Sequence, residues 1–73
     1  MIFLIAVFKS RKEAIEFGRA MERIGARVIA VHTPPSISSA CGLSVKFKKN
    51  DLGRAERVLS GGDFFSFKGF YGI

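Results

Sequence analysis

A chain of 73 residues has room for one domain, residues 1–73, and a single hydrophobic core. Its one cysteine excludes an internal disulfide, and Cys41 and His32 are too few soft ligands for a structural zinc site, which takes about four. Twelve Lys and Arg against six Asp and Glu give a formal charge of +6, scattered along the chain, which reads as a solubilising surface that favours acidic partners.

Met1–Phe8 is apolar almost throughout. It has no basic region ahead of it and no small-residue cleavage site behind it, and it falls far short of the roughly 20 residues of a membrane span. Residues 2–8 are therefore expected to form a buried strand. With one free thiol and no export signal, the expected compartment is the reducing cytoplasm, and no membrane partner is expected. Ser10 then precedes Glu13 at the spacing of a capping box. Ala14, Phe17, Gly18, Met21 and Ile24 recur every three or four residues and predict the buried stripe of a helix that stops at Gly25. Residues 27–32 are short, β-branched and apolar, a second strand. Thr33–Ala40 is a polar loop in which Pro34 and Pro35 can open a helical turn over Ser36–Cys41. Leu43, Val45 and Phe47 alternate with Ser44, Lys46 and Lys48, predicting a half-buried third strand with its polar side out. Asn50 or Asp51 is placed to cap a second helix striped by Leu52, Ala55, Val58 and Leu59 and ended by Gly61 and Gly62. The aromatic stretch 64–71 reads as a last strand.

The order strand, helix, strand, strand, helix, strand predicts an α+β domain of the ferredoxin-like βαββαβ type, a four-stranded antiparallel sheet with both helices on one face. The first and third strands should be central. In that arrangement the Thr33–Ala40 loop joins neighbouring strands, which brings His32 and Cys41 to the same end of the domain.

Cys41 is the residue with covalent potential, because its thiolate is a nucleophile. Ser36, Ser38, Ser39 and the loop amides can donate hydrogen bonds to a thiolate or persulfide, and Gly42 lets a partner backbone approach the sulfur. The competing reading of a lone cysteine is a small buried hydrophobe. His32 can serve as base or ion-pair partner, or simply as a surface residue. No third residue completes a Cys-His-Asn arrangement, and there is no CxxC for self-contained disulfide exchange. No phosphate-binding or dinucleotide fingerprint surrounds Gly61–Gly62, and no cofactor is implied. Phe64, Phe65, Phe67, Phe70 and Tyr71 beside Lys68 have the composition of a base-stacking surface. They fall on a predicted edge strand, however, so core packing and self-association are favoured over nucleic acid.

The run Thr33-Pro34, Ile37-Ser38-Ser39 and Cys41-Gly42-Leu43 resembles the Se/S carrier protein-like family, and the likeness extends over nearly the whole chain. It departs at Pro35, where a basic residue is common, and at Ala40, where a serine is usual. The resemblance implies that Cys41 carries sulfur or selenium, supported by the loop residues Thr33, Pro34, Ser38, Ser39 and Gly42 and by His32. It also implies a donor protein such as a cysteine desulfurase and an acceptor protein. A relay of this kind is a carrier more than an enzyme with its own turnover. The alternatives are a non-catalytic interaction module, with the aromatic edge strand supporting a homodimer, and a small basic RNA-binding domain.

Overall fold

The computed structural model describes residues 2–36 and 42–72. Along them run β1 (Phe3–Phe8), α1 (Arg11–Arg23), β2 (Val28–His32), β3 (Leu43–Lys48), a 3-10 turn (Lys49–Asp51), α2 (Leu52–Ser60) and β4 (Phe67–Gly72). The four strands form one sheet in the order β2-β3-β1-β4, with every neighbouring pair antiparallel. The domain is α+β, with β1 and β3 central in the sheet. No helix among the described residues is long and apolar enough to cross a membrane.

The register assigns the faces. Leu4 pairs with Phe47, Ala6 with Val45 and Phe8 with Leu43, so these side chains share one face of the pleat. Ala14, Phe17 and Met21 of α1 and Ala55 of α2 join Ala6, Phe8, Val45 and Phe47 in a single core. Both helices therefore pack on that face and against each other. Ser10 caps α1 by accepting the Glu13 N–H at 3.3 Å, and Gly25, at φ 92°, ends it in a conformation that side chains resist.

Four expectations need correcting. Ile24 does not continue the buried stripe: it is the C-cap residue of α1 and 40% exposed, because the helix ends one residue before it. Neither Asn50 nor Asp51 supplies a side-chain cap to α2; the chain enters it through the 3-10 turn, and the Asp51 carboxylate instead accepts from Arg54 at 2.8 Å. The last strand starts at Phe67, not at residue 64, because the Ser66 amide is held by the Glu13 carboxylate rather than by β1.

The fourth concerns Ser44, expected on a solvated side but fully buried. It lies with Ile5 and Val7 on the face away from the helices, and those two are buried as well, so β1 is sequestered on both sides.

A bulge explains the aromatic segment. Phe8 pairs with Phe67 but Val7 with Gly69, so β4 carries one extra residue there, and Gly69 takes φ 136°. The insertion changes the phase of the strand. Phe67 and Phe70, which simple alternation would send to opposite faces, both join the core: their rings lie 5.0 Å apart and meet Phe8 at 5.4 Å and Phe47 at 5.8 Å respectively. Phe64 fills the remaining corner against Phe8 and Phe17.

Candidate functional site

The loop between β2 and β3 begins and ends in fixed backbone. His32 pairs with Leu43, and beyond that pair the Thr33 N–H donates to the Gly42 carbonyl at 3.2 Å. The Thr33 and Ser44 hydroxyl oxygens lie 2.6 Å apart in a buried hydrogen bond. Thr33 is 9% exposed and Ser44 not at all, so each hydroxyl is the other's substitute for water. Thr33, Gly42 and Ser44 thus clamp the two stems of the loop. Pro34 is half-buried, while Pro35 and Ser36 form an exposed turn.

Ser38, Ser39, Cys41 and most of the expected Ser36–Cys41 helical turn lie outside the described residues. Cys41 is nevertheless one peptide bond from Gly42, whose carbonyl is held. His32 is exposed and faces Leu43, two residues along the chain from Cys41. Because successive strand residues alternate, His32 lies on the helix side of the sheet and Thr33 on the other.

Topology decides what else stands at this end. Phe8, the last residue of β1, pairs with Leu43, and α1 begins three residues later. The N-terminus of α1, with its partial positive charge, therefore lies at the same end of the sheet as the loop stems. Lys9, Arg11 and Lys12 are exposed there, as is Lys68 in the bulge opposite the end of β1. The one acidic group of that turn, Glu13, is engaged: its carboxylate accepts from the Ser66 N–H at 2.9 Å and from the Ser66 hydroxyl at 3.1 Å. The Ser66 oxygen in turn accepts the Ser10 N–H at 3.0 Å.

Sequence spacing found the Ser10–Glu13 box but missed Ser66, which stands 53 residues from Glu13 and takes over the half of the box that Glu13 would otherwise close. Ser44 was missed for a related reason. Its polar side chain in an alternating strand signals solvent unless a buried partner is known.

The family model described as Putative Se/S carrier protein-like matches residues 3–71. The chain belongs to that family. Within it, the matched span takes in every strand and helix except the final residue of β4, and the Thr33–Gly42 loop lies well inside it. No curated protein and no solved structure gives a match.

Proposed function

We propose that this family member is a sulfur or selenium carrier whose cargo rides on Cys41. The family match over residues 3–71 carries the reading. Three features support it. Cys41 is the chain's single cysteine, its loop is clamped at both stems, and the end of the sheet where it attaches holds a helix N-terminus and four exposed cations. Such a setting favours an anionic thiolate or persulfide. In this reading Thr33, Pro34, Ser38, Ser39 and Gly42 support the cargo, and His32 assists from the end of β2.

The transfer needs no oxidant. The Cys41 thiolate attacks the outer sulfur of a donor persulfide, a new S–S bond forms at Cys41, and the donor cysteine leaves as its thiolate. An acceptor thiolate then repeats the exchange on the loaded carrier. The donor is a protein such as a cysteine desulfurase, and the compartment is the cytoplasm. The same reading takes the fold to be ferredoxin-like, supported by the order β2-β3-β1-β4 with β1 and β3 in the middle.

Incubation with a desulfurase and cysteine, followed by intact-protein mass spectrometry, tests it. The wild-type chain should gain the mass of one sulfur atom, removable by a reductant, and Cys41→Ser should gain none. A thiol that neither alkylates at neutral pH nor takes up sulfur while the fold is intact would leave an interaction module in place of a carrier.

A further inference from the structure

A groove of about 370 Å³ runs between the C-terminal turns of α1 and α2. Its floor is apolar, made by Ala20, Ile24, Val58 and Phe64, and Arg23 and Arg57 stand over it. Ile24 is 40% exposed, a large aliphatic side chain left without cover at the helix end. Neither arginine forms an ion pair with another described residue; the ion pair found among them is Arg54–Asp51. The helix C-termini contribute partial negative charge, about half a unit each and confined to the last turn, which two full guanidinium charges outweigh. Phe64 also packs on Phe8, whose strand partner is Leu43, so one wall of the groove is continuous with the end of the sheet that carries the Cys41 loop.

We infer that this groove is the docking site for a segment of the sulfur-donating protein in which bulky apolar side chains are bracketed by carboxylates. The inference rests on the carrier reading and adds to it the surface by which the donor is recognised. Arginine suits the role, since its fork binds carboxylates in two-point fashion and its stem covers apolar surface. The size is at the lower end of ligand pockets, enough for one or two side chains and not for a folded cofactor.

Amide-resolved NMR titration of the full chain with two short peptides provides the test: one has a pair of leucines bracketed by glutamates, the other the same leucines bracketed by lysines. The glutamate peptide should shift Ala20, Ile24, Val58, Gly61 and Gly62, and the lysine peptide should not. R23E/R57E should weaken binding by about tenfold or more. K48E/K49E, with the same change in net charge at sites outside the groove, should change it less than about twofold. Ile24→Ala, outside the core, should weaken binding while leaving the spectrum of a folded protein. Cys41→Ser should bind like wild type, which separates this inference from the carrier reading: a wild-type chain that binds the glutamate peptide but takes up no sulfur overturns only the latter. Shifts spread over all basic residues, equal losses in the two charge-reversal variants, or equal binding of the lysine peptide would overturn the groove.

Discussion

The Thr33 and Ser44 hydroxyls show how a single polar pair can decide where a loop starts. Each is buried, and each satisfies the other. Ser44→Ala leaves the Thr33 oxygen without its partner and should cost about 1–3 kcal/mol in urea unfolding. Adding Thr33→Val removes the orphan and should recover part of that loss, so a double-mutant cycle should give a clear coupling energy. The ion pair Arg54–Asp51 provides the contrast. It is also short, at 2.8 Å, but Arg54 is half exposed, and Asp51→Ala should change stability by no more than about 0.5 kcal/mol. Gly69 is a third case. At φ 136° it carries the bulge, and Gly69→Ala should destabilise by more than about 1 kcal/mol, with chemical-shift changes running along β4.

At the scale of elements, the β1–α1 turn and the turn before β4 are built as one unit. Glu13, Ser10 and Ser66 exchange four hydrogen bonds, and the Lys9 N–H adds another to the Ser66 carbonyl. Ser66→Ala removes the acceptor for Ser10 and one of the two donors to Glu13. Thermal unfolding should register a loss of about 1–2 kcal/mol, larger than for an ordinary exposed helix cap. The elements themselves were largely legible in the chain. The period of Ala14, Phe17 and Met21, the Ser10 cap and the glycine stops report interactions between residues close in sequence, and these survive folding unchanged. Ile24, Asp51 and the start of β4 were not legible, because each depends on where a neighbouring element happens to end.

Across the whole molecule, stability concentrates on one aromatic cluster. Phe8 meets Phe17, Phe64 and Phe67 at centroid distances of 5.1 to 5.9 Å and so ties β1 to α1, to β4 and to the turn before it. Phe8→Ala should cost about 3–5 kcal/mol, comparable to the whole margin of a small domain. The variant should be largely unfolded by circular dichroism at 25 °C, while Phe65→Ala, 88% exposed in wild type, should be neutral. The aromatics of β4 are spent on this core, which leaves Tyr71 as the partly exposed ring of that strand.

The sequence by itself determined the α+β class, the succession of elements, the apolar run that makes β1 a buried strand, and the family to which the Cys41 loop belongs. All of these rest on local periodicity or on a contiguous motif. The tertiary structure alone decided the burial of Ser44, the closing of the Glu13 cap by Ser66, the bulge that turns Phe67 and Phe70 to one face, and the meeting of Arg23 and Arg57 over a common groove. Each of those joins residues far apart in the chain, and no spacing rule reaches across such a distance until the sheet register has set which side chains face each other.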